Sequence, residues 1–297
     1  MNNILRGLGV ALITPFKANG DVDFNALAKV VEHQIAGGID YLVVMGTTGE
    51  SATISLDEKK EILAQVMETA QDRVPIVLGI GGNNTTAVQE ELQAYDLTGV
   101  AAILSVSPYY NKPTQEGIYQ HYKALSEVSL RPIILYNVPG RTMSNISAET
   151  TLRLAREFKN IVAVKEASGN LDQIGTILRD RPEGFLVISG DDALTLPILA
   201  LGGDGVISVV GNALPVEFAR LVHSALDGDF ATARKEHLKL IEIINLLFVE
   251  GNPGGVKEVL KALGLCGNHL RLPLVPVGEG TARKISQALT VLKAVEA

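Results

Sequence analysis

The sequence predicts an α/β fold, an eight-stranded (β/α)8 TIM barrel with a C-terminal helical appendage. Short runs rich in Val and Ile alternate eight times with longer segments of helical period. The runs are apolar on both faces, as in a parallel sheet covered by helices. After the eighth repeat the alternation stops and only helical patterns follow.

The runs span residues 9–16, 41–46, 75–81, 101–108, 132–138, 161–167, 185–190 and 205–211. Between and after them, residues 24–36, 56–70, 86–97, 115–128, 148–157, 171–179, 194–200 and 215–226 read as helices. A doubly wound open sheet would alternate in the same way. It would usually carry a phosphate loop, and neither Gly-x-Gly-x-x-Gly nor Gly-x-x-x-x-Gly-Lys follows any run here. The count of eight favours closure. Residues 230–250, 255–263 and 280–295 then read as three helices joined by Pro- and Gly-containing loops, which divides the chain into a catalytic barrel over 1–228 and a helical domain over 229–297.

Composition narrows the function. The formal charge of −7 is spread without acidic or basic blocks, so neither nucleic acid nor anionic lipid is an expected partner. Cys266 stands alone, and His33, His121, His223, His237 and His269 lie far apart without ligand spacing, so no zinc site or disulfide scaffold is expected. Arg6 and Pro15 interrupt the apolar start and no small-residue cleavage site follows, which reads as a cytoplasmic chain. The apolar stretch 194–216 is broken by Asp204 and by Gly and Pro, so no membrane span is expected.

Barrel enzymes build their sites at the C-terminal ends of the strands. Five of these ends carry unusual chemistry: Gly46-Thr47-Thr48-Gly49-Glu50-Ser51, Ser107-Pro108-Tyr109-Tyr110-Asn111, Tyr136-Asn137-Val138-Pro139-Gly140-Arg141-Thr142, Lys165-Glu166, and Ser189-Gly190-Asp191-Asp192. Lys165 follows apolar residues 161–164, and burial there disfavours an ammonium, leaving the neutral amine that attacks a ketone. The plainer alternative is a solvated lysine, or one paired with Glu166. Tyr136, one strand earlier at similar height, can shuttle protons or simply fill the core. The Gly-Thr-Thr-Gly turn suits a small carboxylate through its hydroxyls and backbone N–H groups, or is a plain turn before a helix capped by Ser51 or Ser55. Arg141 offers a planar fork to a second carboxylate, or is a surface arginine. Tyr109 and Tyr110 read equally as site residues or as a subunit-contact knob. Asp191-Asp192 reads as an acidic helix N-terminus. An amine, a phenol, a carboxylate-sized turn and a guanidinium at one rim suit a keto acid held as an imine and condensed with an acidic partner.

These motifs, with Pro108-Tyr109-Tyr110-Asn111-Lys112-Pro113, Lys165-Glu166-Ala167-Ser168-Gly169, Gly205-Val206-Ile207-Ser208 and Arg271-Leu272-Pro273-Leu274, occur in the order found in one family. From about Gly7 to the C-terminal helices the chain resembles the dihydrodipicolinate synthases of the N-acetylneuraminate lyase superfamily. The resemblance implies pyruvate, held as an imine on Lys165, and L-aspartate 4-semialdehyde as second substrate, with no cofactor. It implies a proton relay of Tyr136, Thr47 and Tyr110, with Tyr110 reaching over from a neighbouring subunit of a homotetramer, a dimer of dimers. It places Thr48 and the adjacent Gly49 on the pyruvate carboxylate, Gly190 and the Ile207 carbonyl in the same pocket, and Arg141 on the semialdehyde carboxylate.

Lysine-inhibited members of the family place His or Glu around a subunit-interface cavity. Here the corresponding positions read Leu56, Lys59 and Ala87, while Ser51, Asn83 and Tyr109 remain, with Ala52 beside them. A cationic amino acid loses its carboxylate partner at Ala87 and faces Lys59. Two other activities share parts of the pattern: a sugar-acid lyase of the N-acetylneuraminate or keto-deoxy-gluconate type, and a non-catalytic metabolite-binding barrel. A sugar acid needs polar groups for a row of hydroxyls, whereas Arg141 suits a short acidic aldehyde. Inhibition by L-lysine is expected to be weak or absent in a steady-state assay, and tight, saturable inhibition would refute this.

Overall fold

Eight parallel strands close on one another in chain order. The computed structural model describes residues 2–296. The strands are β1 (Gly7–Ala11), β2 (Tyr41–Val44), β3 (Ile76–Gly79), β4 (Val100–Val106), β5 (Ile133–Asn137), β6 (Ile161–Glu166), β7 (Leu186–Ser189) and β8 (Gly205–Ser208). Because side chains alternate along a strand, an all-apolar run still sorts itself onto two faces. Tyr41, Val43, Val77, Ala102, Leu104, Ile134, Ala163, Ile188 and Ile207 fill the barrel interior. Their neighbours Leu42, Leu78, Ile103, Leu135, Val164, Val187 and Val206 belong to the outer core against the helices.

The barrel closes on a glycine pair. β8 pairs with β1 in the register Gly7↔Gly205 and Gly9↔Ile207. A Cβ on Gly205 would sit 2.2 Å from the Gly7 carbonyl oxygen, so only hydrogen fits there. Gly9 similarly leaves room for the Tyr41 ring, 2.2 Å from where its Cβ would lie.

The connecting helices are α1 (Phe24–Ala36), α2 (Leu56–Ala70), α3 (Thr85–Ala94), α4 (Gln115–Val128), a single turn α5 (Pro139–Thr142), α6 (Ala148–Glu157), α7 (Leu171–Asp180), α8 (Thr195–Ala200) and α9 (Pro215–Leu226). Most begin at a side-chain cap that accepts an otherwise unpaired backbone N–H: Asp23, Asn84, Thr114, Ser147 and Asn170. Ser55 forms a reciprocal capping box with Glu58. Three further helices follow, α10 (Phe230–Phe248), α11 (Gly254–Ala262) and α12 (Glu279–Glu296). Leu240, Ile243, Ile244, Leu247, Val256, Val259 and Leu260 extend the outer core without a break. Gly255 permits the close approach of α11 to α10, since its Cβ would lie 2.5 Å from the Leu247 carbonyl oxygen.

Several boundaries differ from the sequence expectation, among them the eighth run, expected over 205–211, whose strand ends at Ser208 before a 3-10 turn at Val210–Asn212. The first strand was expected over 9–16 but spans Gly7–Ala11: the Leu12 N–H still donates to the Val43 carbonyl (2.9 Å), whereas the Ile13 N–H donates to Asn212 Oδ1 (3.0 Å) and Thr14 Oγ1 to the Gly49 carbonyl (2.7 Å). The third helix stops at Ala94 rather than at 97, where Asp96 accepts the Thr98 N–H in a local turn. Gly205→Ala should destabilise the protein by about 2 kcal/mol or more, measured by urea unfolding, because backbone rather than a yielding side chain opposes the methyl.

Candidate active site

Strand register sets the centre of the site. Tyr136 of β5 pairs with Lys165 of β6, which pairs with Ile188 of β7, so the first two stand side by side in one layer. Both side chains point into the barrel, and each residue is only 6% exposed. Lys165 Nζ lies 4.2 Å from the centre of the Tyr136 ring, where the π face compensates part of an ammonium's lost hydration. Among the described residues, no carboxylate lies within ion-pair distance of Lys165. Glu166 does not pair with it, because the next residue along a strand faces the other way. Its carboxylate accepts from Asn137 Nδ2 (2.9 Å), Gln173 Nε2 (2.9 Å) and the Ser168 N–H (3.1 Å), tying β5, β6 and α7 together behind the site. Burial raises its pKa against the pull of those hydrogen bonds.

A cavity of about 380 Å³ opens above this pair. Thr47, Thr48, Tyr136, Arg141, Lys165 and Gly190 line it. Gly190 is small for a reason. A Cβ there would sit 3.0 Å from Lys165 Cε and 2.8 Å from Ala167 Cβ, so the glycine gives the lysine chain its channel. Thr47–Gly49 forms a tight 3-10 turn after β2, with Thr47 exposed to the cavity and Thr48 buried. Arg141 sits on α5, exposed on the cavity wall. Non-glycine residues with positive φ cluster on these same loops: Met45 and Glu50 after β2, Tyr110 and Lys112 after β4, and Met143 after β5.

Other predicted residues lie elsewhere. Gly49 is buried beneath the turn, its carbonyl held by Thr14. The Ile207 side chain belongs to the inner barrel layer, and Val209, two residues further on, lines the cavity. Tyr110 is 88% exposed and lies outside the cavity, on a knob held by Asn83 Nδ2 donating to the Tyr109 carbonyl (3.0 Å) and Asn111 Nδ2 donating to the Asn83 carbonyl (2.9 Å).

A second, wider cavity of about 610 Å³ adjoins the first. Ser51, Ala52, Lys59 and Tyr109 line it, whereas Leu56, Asn83 and Ala87 do not. The ammonium of Lys59 is not free there: it pairs with Glu91 at 2.8 Å. Glu91 lies one helical turn beyond Ala87 on α3, so the carboxylate absent at 87 is present on the same face.

Sequence reasoning missed the roof. Ile244, Asn245 and Phe248 of α10 and Asn252 beyond it complete the first cavity. Asn252 Nδ2 donates to Thr48 Oγ1 at 2.9 Å, which leaves the Thr48 hydroxyl hydrogen available to a ligand. The 252–254 Asn-Pro-Gly turn was legible as a loop, but not its return over the barrel. The acidic pair also divides. Asp191 Oδ1 accepts from the Ala193 and Leu194 N–H groups as a helix entry should, whereas Asp192 Oδ2 accepts from Val209 N–H (3.0 Å) and Val210 N–H (3.3 Å) across the end of β8.

An amine beside a phenol, two threonine hydroxyls and one guanidinium can form an imine with a keto acid and receive an acidic electrophile. The Dihydrodipicolinate synthetase family model matches residues 4–292. The chain belongs to this family. The 4-hydroxy-tetrahydrodipicolinate synthase of Parabacteroides distasonis is 55% identical over 288 residues, 97% of each chain. A solved structure described as the first monomeric dihydrodipicolinate synthase variant superposes with a TM-score of 0.96 at 40% identity, covering 98% of each chain. The chloride-inhibited dihydrodipicolinate synthase of Acinetobacter baumannii, solved with pyruvate, superposes at 0.94 with 39% identity over 97% of this chain and 99% of that one. As in those folds, the barrel is closed and parallel; among the described residues no helix is long and apolar enough to cross a membrane.

Asp192 supplies a pH test of the site's frame. Burial pushes its carboxyl up to about 6, opposed by hydrogen bonds from Ser208, Val209 and Val210. Because the folded value lies above the unfolded one, the stability it contributes is complete at low pH and is lost as pH rises through about 6. Between about pH 4 and 7, wild type should lose on the order of 1–3 kcal/mol relative to Asp192→Asn in thermal melts, and parallel curves would contradict this.

Proposed function

We propose that the chain is a lyase that condenses pyruvate with L-aspartate 4-semialdehyde to 4-hydroxy-tetrahydrodipicolinate, in lysine and diaminopimelate biosynthesis. Relatives 52–55% identical over nearly the whole chain carry that activity in their names, and the observation that carries the reading here is Lys165 buried against Tyr136 at the floor of the cavity. The Lys165 amine attacks the pyruvate ketone and, with loss of water, forms an imine. Removal of a methyl proton gives the enamine, whose carbon attacks the aldehyde of the second substrate. The substrate's own amine then attacks the imine carbon, closing the ring and releasing Lys165.

Each step is assigned a donor or acceptor. Tyr136 moves protons at the carbinolamine and at the new alkoxide, relayed by Thr47 and by Tyr110 from a neighbouring subunit. The exposed, knob-like setting of Tyr110 suits delivery to another copy of the chain in a homotetramer. Thr48 and the Gly49 turn hold the pyruvate carboxylate beside Gly190 and the Ile207 carbonyl. Arg141 holds the carboxylate of the semialdehyde. The roof sets apolar Ile244 and Phe248 beside Asn245 and Asn252, while Arg141 gives the wall one cation, which suits a short acidic aldehyde.

Borohydride reduction in the presence of pyruvate should add one pyruvate-derived mass to the intact chain, and Lys165→Ala should add none. Wild type without an adduct would sink the imine, and an adduct without turnover of the semialdehyde would point to the sugar-acid lyases. Tyr136→Phe should lower kcat by roughly 10²–10⁴-fold in the coupled assay while its chain melts close to wild type.

A further inference from the structure

The turn that presents Thr47 and Thr48 is anchored by two fully buried charges that the reaction does not use. Glu50 ends the turn in the left-handed region, with φ of 56°, and its side chain is entirely buried. Its Oε1 meets Lys257 Nζ of α11 at 2.5 Å, and the side chain of Lys257 is equally buried. Oε2 accepts the Arg271 N–H at 3.1 Å. Lys257 Nζ also donates to the His269 carbonyl at 2.8 Å and stands 4.4 Å from the centre of the Phe16 ring. Around it, the Arg271 guanidinium donates to the Thr53 and Gly20 carbonyls and to Glu58. The pair therefore joins the loop after β2 to the C-terminal helices, 207 residues apart in sequence.

Stability alone is a weak reason for such a pair. Desolvating two charges costs about as much as their attraction returns, and apolar residues of like size commonly serve as well or better. What an ion pair adds is a single register between the elements it joins. Glu50 directly follows the Thr47–Gly49 turn, and Lys257 lies five residues after Asn252, whose amide holds the Thr48 hydroxyl.

We propose that Glu50 and Lys257 are positioning residues for the reaction: their contact sets the turn that receives the keto-acid carboxylate, and sets it relative to the roof of the cavity. The proposal rests on the reading of the site as a pyruvate site. A displaced carboxylate misdirects the ketone from Lys165, and an error of about 1 Å at such a distance can cost up to about a hundredfold.

The test is the double variant Glu50→Gln/Lys257→Met, which removes both charges and leaves neither unpaired. Hydrogen exchange of the 46–53 segment should accelerate roughly tenfold or more while the barrel strands exchange as in wild type and the melting temperature stays level. KM for pyruvate should rise by roughly tenfold, with kcat changed less. Glu50→Asp, which keeps the charge on a shorter arm, should show both changes at smaller size. Unchanged exchange in 46–53, acceleration throughout the chain, or an unaltered KM for pyruvate in either variant would overturn the proposal. A wild-type chain that captures no pyruvate would overturn the function instead, and the exchange comparison would still decide whether the pair holds the turn.

Discussion

The pairing of β5 with β6 is the constraint on which the site depends. One register places Tyr136 opposite Lys165, and strand alternation then sends both inward and Asn137 and Glu166 outward. A slip of one residue would exchange the two sets, burying the carboxylate in the barrel and turning the amine toward the helices. The outward pair guards against that slip: the Asn137 amide donates to Glu166 while its carbonyl oxygen accepts the Ile146 N–H at 2.9 Å. The hydrogen bonds behind the sheet thus serve the chemistry in front of it.

The lysine's surroundings follow from size as much as from charge. Gly190 leaves a channel for its methylenes, Tyr136 offers a π face in place of water, and no described carboxylate neutralises it. An amine so placed is shielded from water, and among the described residues no carboxylate competes with a substrate for it. Elsewhere the same chain pairs the buried Lys257 with Glu50 and the partly buried Lys59 with Glu91.

The C-terminal helices complete the pocket. α10 supplies a roof of Ile244, Asn245 and Phe248 and Asn252 reaches down to Thr48, so the cavity has a floor from the strands and a ceiling from the C-terminal helices. Arg271 and Lys257 bring the same region onto the loop after β2. The adjoining cavity keeps Ser51, Lys59 and Tyr109 at its wall, but with an internal ion pair where a free cation was expected, so the field a charged effector meets there is that of a dipole.

By itself the sequence determined the repeat and named the candidates for the site. Eight apolar runs between amphipathic segments predict the barrel because burial on both faces leaves little choice of environment, and Thr47, Thr48, Arg141 and Lys165 could be named because barrel rims gather at one end of the strands. The tertiary structure alone decided which rim residues share one cavity. Gly49 is buried with its carbonyl on Thr14, and Tyr110 stands outside the cavity, differences that depend on turn geometry rather than on residue type. It also decided the partners of Glu50, Glu91, Asp192 and Asn252. A carboxylate or amide has no periodicity that points to its partner, and contacts spanning up to 221 residues are fixed only once the core has brought the two segments together.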